Sequence, residues 1–308
     1  MKEKLRKTES SRGWTGRTNG GEWGQKILIS LLGCLSVGAS YLLMDLALPF
    51  YLPFNWKGFA ATRNYFVERL GYGGVRAFWN AYRTHRNFGQ MMFDRFRFFN
   101  RGAEGLDISI DGINQMVGYF DQKKGCVMAG AHVGSMEMTG YLLGIDGISV
   151  NAVVFGGENE GLQSRRAKAM EAHGVRMIPV SDDMSHLFAI KAALDAGEVV
   201  SMPCDRLFGS SKYYQTEFLG APARFPIGAF TLAARTGCDM VGIFTMKEGR
   251  RAYRVYTRRL VVDRTDKRPG EISEALAEAY VRYLEQMVLK YPRQWFNFYD
   301  FWKFGGDE

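Results

Sequence analysis

The chain has 308 residues, of which 46% are hydrophobic, and carries a formal net charge of +8. This length suits one large domain or two small ones, and the hydrophobic fraction suffices for a sizeable core. A basic balance favours acidic partners, but no compact Lys/Arg block or nucleic-acid motif is present, so we expect no nucleic-acid partner. The four cysteines show no metal-ligand pairing, which fits reduced core cysteines of a cytoplasmic domain.

The N-terminal region combines a polar, basic arm (residues 1–25) with a long apolar stretch (residues 27–56) that Asp45 alone interrupts with a charge. The stretch exceeds the roughly 20 apolar residues that a membrane span needs. Asp45 and two late prolines favour a shallow or tilted helix instead. We expect a membrane-anchor helix with the arm on the cytoplasmic side. The alternative is a buried amphipathic helix of the domain.

This pattern predicts two parts, an arm with its anchor helix in residues 1–57 and a second domain in residues 58–308. The second part opens with aromatic and arginine residues interleaved at helical spacing over residues 65–102. Most of these aromatics are expected in the core, because their spacing follows one helix face. The arginines are expected to face lipid headgroups, since interfacial helices pair these two residue types.

From residue 106 onward, apolar strand-like runs alternate with amphipathic helical segments. This alternation predicts an α/β fold with a largely parallel central sheet flanked by helices. Candidate strands occupy residues 107–110, 126–131, 149–155, 175–179, 199–204, 240–246 and 252–262. Candidate helices occupy residues 114–122, 136–143, 161–173, 184–196, 227–236 and 271–291.

One histidine, His132, stands where an apolar run ends. Gly134 follows it, and Glu137 lies five positions beyond it. Open α/β sheets place their sites at the carboxyl ends of strands. We expect Glu137, in the first turn of the next helix, to reach one ring nitrogen of His132 and leave the other as a base. The alternative is a core histidine at a strand end.

Residues 132–137, His-Val-Gly-Ser-Met-Glu, resemble the His-x4-Asp/Glu signature of the lysophospholipid acyltransferase superfamily, and the surroundings are closest to its bacterial lipid A late-acyltransferase branch. Residues 193–205 are similar to the family's helix, Gly, apolar strand and Asp-Gln segment, and residues 218–237 to the block that closes its catalytic half. Two departures affect the acceptor. Arg206 stands where Gln is usual, and residues 56–102 have only a loose counterpart, Arg86-Asn87-Phe88.

The resemblance implies an acyltransferase of the lipid A biosynthesis type, on the cytoplasmic face of a bacterial inner membrane. It would move a fatty acyl chain from a thioester, acyl carrier protein or else acyl-coenzyme A, to a lipid hydroxyl. His132 would be the base, and Glu137 would orient the imidazole and stabilise its cation. Backbone N–H groups or an arginine would hold the oxyanion. No metal or other cofactor is expected.

Three further candidates for substrate binding come from helix and strand positions. Asp205 ends an apolar strand and is expected to organise the pocket floor near His132; the alternative is a cap for the next turn. Arg165 or Arg166, on a predicted helix, would bind phosphate or steady an oxyanion; the alternative is a solvated helix face.

The remaining candidates follow Asp205 in the chain. Arg206 is the departure noted above. Lys212 and Arg224 fall in a predicted loop, where they would meet the phosphate of a pantetheine arm or an acidic carrier; the alternative is ordinary exposed charge. Gly220 would allow a close backbone approach, and a plain turn glycine is equally compatible.

Two other functions stay open. The same chemistry on a different membrane lipid or a polyene-type product would account for Arg206 and residues 65–102. A non-catalytic lipid-binding protein would keep the fold and be indifferent to loss of His132. The sequence contains no Gly-x-Ser-x-Gly elbow, P-loop or dinucleotide fingerprint, which argues against a serine hydrolase and a nucleotide site.

Overall fold

A computed structural model describes residues 36–101, 105–111, 125–136, 138–140, 148–155, 167, 170–172, 174–181, 183–207 and 212–304. The basic arm, the start of the apolar stretch and the predicted helix at 114–122 lie outside these residues. The proposed boundary at residue 57 stays a prediction.

The described chain begins with helices. α1 (Val37–Tyr51) leads through a 3-10 turn (Leu52–Asn55) into α2 (Trp56–Glu68), and α3 (Gly74–Arg101) follows. The Ser36 side chain accepts a hydrogen bond from the Ala39 N–H, which caps α1. The run from α1 through α2 is long and apolar enough to cross a membrane, and one third of its apolar window is buried in the protein.

A seven-stranded sheet forms the centre. Its strands are β1 (Asp107–Asp111), β2 (Cys126–Gly130), β3 (Val150–Phe155), β4 (Val175–Val180), β5 (Val199–Pro203), β8 (Asp239–Lys247) and β9 (Ala252–Arg259). They lie in the order β1-β9-β8-β2-β5-β3-β4, and all neighbouring pairs are parallel except β8 and β9. The α/β prediction with a largely parallel sheet is therefore confirmed.

The core lies on both faces of this sheet. β2 is buried throughout, and its alternate residues enter two clusters: Val127 and Ala129 on one face, Cys126 and Met128 on the other. Helices α4 (Ser185–Asp195), α5 (Gly228–Thr236) and α6 (Pro269–Lys290) flank the sheet, close to their predicted bounds.

The predicted loop around Lys212 and Arg224 is wrong, because this segment forms a hairpin. β6 (Tyr213–Phe218) pairs antiparallel with β7 (Ala221–Pro226). The strands are difficult to recognise in the sequence, because the segment contains two prolines and several polar residues. In the structure the hairpin buries Phe218 and Phe225, whose ring centres lie 5.4 Å apart.

Candidate active site

Two neighbouring parallel strands bring His132 and Asp205 together. β2 and β5 pair with Gly130 opposite Pro203. His132 and Asp205 each lie two residues beyond these ends, so both leave the same edge of the sheet, called the carboxyl edge below. The Cys204 N–H donates to the Gly130 carbonyl over 2.9 Å and continues the pairing. Strand register thus joins residues that are 73 positions apart in the chain.

The Asp205 carboxylate holds His132 at two points. The His132 backbone N–H donates to Oδ2 over 2.9 Å, and its ring Nδ1 lies 2.9 Å from Oδ1. A carboxylate only accepts, so Nδ1 carries the proton and Nε2 is the nitrogen able to take another. The Asp205 side chain is 1% exposed and that of His132 33%, so the imidazole is the accessible member of the pair.

Asp205 stays ionised although water does not reach it. Burial alone would raise the pKa of its carboxyl group, but the charge and hydrogen bonds of His132, with the nearby Arg206 charge, outweigh burial and hold this pKa below its ordinary value. A buried anion beside an accessible imidazole stabilises the ring when it becomes positively charged.

The turn after β2 fixes the backbone of His132. Its carbonyl accepts from the Phe296 N–H over 2.8 Å, and the Gly134 N–H donates to the Gln294 carbonyl over 2.8 Å. Gly134 has a φ of +64°, and a Cβ there would lie 2.1 Å from the Thr245 carbonyl oxygen, so only glycine fits. The Gly134 N–H is therefore already hydrogen-bonded to the Gln294 carbonyl.

Two supports of the site come from distant parts of the chain, and the sequence did not single them out for this role. The buried Tyr280 hydroxyl of α6 donates to the Gly130 carbonyl over 2.7 Å, at the end of β2. Trp295 forms an isolated bridge with Val133. Tyr280 was visible only as one apolar position of an amphipathic helix, so its hydrogen bond had no local signal.

Arg206 lies at the same edge. Its Nη2 donates to the Phe296 carbonyl over 2.8 Å, and its guanidinium carbon is 5.6 Å from the centre of the Tyr299 ring. Burial, together with Asp205, raises the pKa of Tyr299. Arg206 therefore joins the carboxyl edge to the C-terminal segment.

The hairpin carries the other described candidates. Lys212 is exposed directly before β6. Arg224, on β7, lies 4.5 Å from the Tyr213 ring and 4.2 Å from the Phe304 ring, and its Nε donates to the Gln215 side chain over 3.1 Å. Gly220 has a φ of +73° in the hairpin turn, which by itself accounts for a glycine there.

Glu137, Arg165 and Arg166 lie outside the described residues, so their roles stay predictions. The structure brings together His132, Asp205 and Arg206 at one edge and places Lys212 and Arg224 on the hairpin. Within the described part of the chain, no group of three or more His, Cys, Asp or Glu residues is arranged to hold a metal ion.

Comparison with known proteins gives this edge a family context. Two relatives, the phosphatidylinositol mannoside acyltransferases of Mycobacterium tuberculosis strains H37Rv and CDC 1551, are each 26% identical over 195 residues, which is 63% of this chain. The match spans 59% of the length of either relative. The sequence profile of bacterial lipid A biosynthesis acyltransferases matches residues 81–304, well over half of the chain, and includes both His132 and Asp205. The chain therefore belongs to the bacterial lipid A biosynthesis acyltransferase family.

Proposed function

We propose that this protein transfers a fatty acyl group from a thioester to a hydroxyl group of a lipid. The observation that carries the proposal is the accessible His132 imidazole held through Nδ1 by the buried Asp205 carboxylate at the carboxyl edge of the sheet. Family membership supports the reaction type. An imidazole with a fixed tautomer suits removal of a proton from a hydroxyl group.

In the proposed reaction, His132 Nε2 takes the proton of the lipid hydroxyl while its oxygen attacks the thioester carbonyl carbon. The tetrahedral intermediate then collapses, the carbon–sulfur bond breaks, and the imidazolium returns the proton to the leaving thiolate. Asp205 keeps the ring oriented and stabilises the imidazolium between the two steps. Glu137 is the second carboxylate proposed to act on this ring.

The cations are proposed to bind the anionic parts of the substrates. Arg206 lies beside the pair, and Lys212 and Arg224 lie on the hairpin, where a phosphate of the donor or an acidic carrier would meet them. Arg165 and Arg166 are proposed for a lipid phosphate or the oxyanion. Acyl transfer through this set needs no metal or other cofactor, because the thioester is already activated.

Two acceptors are supported by different comparisons. The family description names lipid A biosynthesis, whereas the two relatives are named for phosphatidylinositol mannoside. Both names are compatible with an acceptor that is a membrane lipid with a free hydroxyl group, and we propose that the enzyme acts at a membrane. The cytoplasmic face of an inner membrane is proposed, because acyl carrier protein and acyl-coenzyme A are cytoplasmic donors.

The test is transfer of a labelled acyl chain from acyl carrier protein or acyl-coenzyme A to lipid A precursor, phosphatidylinositol mannoside or total membrane lipid in detergent. We expect His132→Ala to lower turnover by about 10²–10⁴ or more. His186→Ala, at a partly exposed histidine of α4, is the matched control and should retain activity. Near wild-type turnover by His132→Ala contradicts the mechanism. Lipid binding without turnover by the wild type supports a lipid-binding protein instead.

A further inference from the structure

Exposed apolar side chains are concentrated at the start of the described chain. Of the 17 large exposed hydrophobic residues among the described residues, 11 lie between positions 42 and 79. None of the exposed residues from 39 to 56 carries a charge. A helix face in water would carry polar groups, so this surface requires an apolar cover. Between residues 39 and 56, the most exposed large apolar side chains are Leu42, Leu46, Phe50, Phe54 and Trp56.

The opposite face of α1 is tied to the domain by polar contacts. The Arg86 guanidinium donates to both oxygens of Asp45, over 2.6 and 2.5 Å. The Tyr41 hydroxyl donates to Asp94 over 2.7 Å, and Lys247, the last residue of β8, forms a buried ion pair with the same carboxylate. These contacts hold α1 sideways against the protein, as in a helix that lies in a membrane interface.

Aromatic rings continue this surface onto α2 and α3. Ring centres are separated by 5.5 Å for Trp56–Phe59, 5.2 Å for Phe59–Phe78 and 5.6 Å for Phe78–Trp79. Trp56 and Trp79 are each more than half exposed, and Lys57 follows directly. Tryptophan beside a cation is typical of the boundary between lipid tails and headgroups, which favours a lipid surface over a protein partner.

A second, smaller apolar surface lies at the start of α4. Met184, Leu187 and Phe188 are 54%, 42% and 78% exposed. Met184 has a φ of +62°, a conformation that non-glycine residues rarely adopt. The Asp183 carboxylate fixes this turn by accepting from the Ser185 N–H over 3.0 Å. The turn is therefore held in one conformation, in which the apolar side chains of Met184, Leu187 and Phe188 are exposed.

The sheet order places the catalytic pair between the two surfaces. β8, which carries the contact to α1, and β4, which leads into α4, are both oriented like β2 and β5, so all four end at the carboxyl edge. Strands in a sheet are about 4.8 Å apart, which puts β8 and β4 roughly 19 Å from each other. His132 and Asp205 leave the sheet between them.

We propose that the protein lies in one leaflet of a bilayer, with α1 in the plane of the membrane and the tip of α4 as a second contact, so that the carboxyl edge faces the lipid. This orientation depends on the proposed function in one respect only, because it takes a lipid as the acceptor on which His132 acts. Membrane contact itself follows from the two exposed surfaces. A single flat lipid layer would satisfy both surfaces at once and bring acceptor hydroxyl groups to the edge that carries the imidazole.

The α4 contact is tested by flotation with vesicles of phosphatidylcholine and phosphatidylglycerol. Phe188→Ser should lower binding roughly tenfold, the change expected when one large aromatic side chain leaves an apolar environment. Val261→Ser is the matched control. Val261 is 77% exposed, close to the 78% of Phe188, but it follows β9, which runs antiparallel to β8 and ends at the opposite edge. Its binding should stay within about twofold of wild type, since its edge faces water.

Equal binding of Phe188→Ser and wild type, or equal losses in both variants, overturns the α4 contact. Unfolding curves of the two variants check that both are folded. Phe188→Ser should keep wild-type activity on detergent-dispersed acceptor, which does not require docking. If the wild type binds vesicles but transfers no acyl group, the proposed function fails and the docking proposal stands.

The in-plane position of α1 is tested with spin labels at Leu42→Cys, Leu46→Cys and Phe50→Cys, in a Cys34→Ser, Cys238→Ser background. A helix rises 1.5 Å per residue, so a spanning helix would separate the first and last label by about 12 Å in depth. A helix in the interface would keep all three at a similar depth, about 5–10 Å into the leaflet. A steady increase in depth along the three positions overturns the in-plane arrangement.

Discussion

The proton on Nδ1 of His132 points to a carboxylate that water does not reach. An exposed carboxylate would be screened and free to rotate, whereas Asp205 is fixed by accepting from both the ring and the backbone N–H of His132. Burial would raise the pKa of its carboxyl group, but the charge and hydrogen bonds of His132 and the charge of Arg206 hold this pKa below its ordinary value. Orientation and charge therefore come from the same group, and its loss should affect the rate more than the binding of substrate.

Asp205→Asn tests this. An amide has one acceptor oxygen for the two donors that the carboxylate binds, the ring Nδ1–H and the His132 backbone N–H. It also lacks the charge that stabilises the imidazolium, so we expect kcat to fall by about 10²–10⁴ with little change in KM. Glu137→Gln is the comparison and should leave more activity, since the base and Asp205 remain. Both variants are measured with one donor and acceptor, and thermal unfolding checks their folding. A larger loss in Glu137→Gln would assign the orienting role to Glu137.

A second histidine connects pH to stability. His85 is 4% exposed, its Nδ1 lies 3.0 Å from the Ala81 carbonyl oxygen, and its ring is 4.6 Å from that of Phe298. Burial lowers its pKa, so between that value and about 6.5 the unfolded chain binds a proton that the folded chain does not. Stability should therefore decrease as the pH falls below about 6.5.

Urea unfolding in detergent between pH 7.5 and pH 5 measures this effect. In His85→Gln, the free energy of unfolding should decrease less steeply as the pH falls, by up to about 1.4 kcal/mol per pH unit. The reason is that this variant lacks the imidazole that binds a proton in the unfolded chain. A variant that keeps the full wild-type slope would show that other groups cause the loss.

The sequence locates both His132 and Asp205, because each stands where an apolar strand turns polar. It does not show that they touch, since this depends on the register of β2 and β5. The sequence instead favoured Glu137, five residues away, because a local contact is the only kind that spacing can indicate. The hydrogen bonds from Tyr280 to Gly130 and from Phe296 to His132 could not be predicted for the same reason.

Among the elements, the central strands were predictable because continuous apolar runs mark buried parallel strands. The β6–β7 hairpin was not. Its exposed face carries polar residues and its inner face packs on the C-terminal aromatic residues, such as Phe301, 5.6 Å from Phe225. That contact stabilises the hairpin, whose second strand, β7, contains two prolines.

The Asp94 cluster joins α1 to the sheet. Burial lowers the pKa of Lys247, and Asp94 partly compensates for this. Asp94→Ala leaves the ammonium group buried without its counter-charge, so we expect a loss of about 3–5 kcal/mol in the free energy of unfolding and faster proteolysis within α1. Chemical denaturation and limited proteolysis measure the two effects.

Asp195→Ala is the control, since the Lys191–Asp195 pair is about 60% exposed on both sides. It should cost less than about 1 kcal/mol. Similar small losses in both variants would mean that the Asp94 cluster contributes little to holding α1.

In the whole molecule, positive charge and apolar surface act on binding partners in different ways. The net charge of +8 acts over a distance and favours anionic partners. The uncharged face of α1 acts only on contact, and salt does not screen it. Salt should therefore leave membrane binding largely intact while it weakens any donor that docks by charge.

The donor prediction uses this difference. Acyl carrier protein is acidic, and Arg224 presents its guanidinium between two aromatic rings on the hairpin, with Lys212 at the hairpin's start. Screening extends over about 10 Å at 0.1 M salt and about 3 Å at 1 M. We expect KM for the acyl-carrier donor to rise with salt, and KM for acyl-coenzyme A to rise far less. Arg224→Glu should raise the carrier KM at low salt, in the same direction as added salt.

Arg224→Lys separates charge from stacking, because it keeps the cation and loses the planar group. If docking is electrostatic, Arg224→Lys stays near wild type while Arg224→Glu does not. Equal effects of the two substitutions would indicate that the ring contacts hold the hairpin in shape. Equal salt sensitivity of the two donors would argue against carrier docking here. A marked preference for acyl-coenzyme A would make it the natural donor, because steering of a large acidic protein then has no role in the reaction.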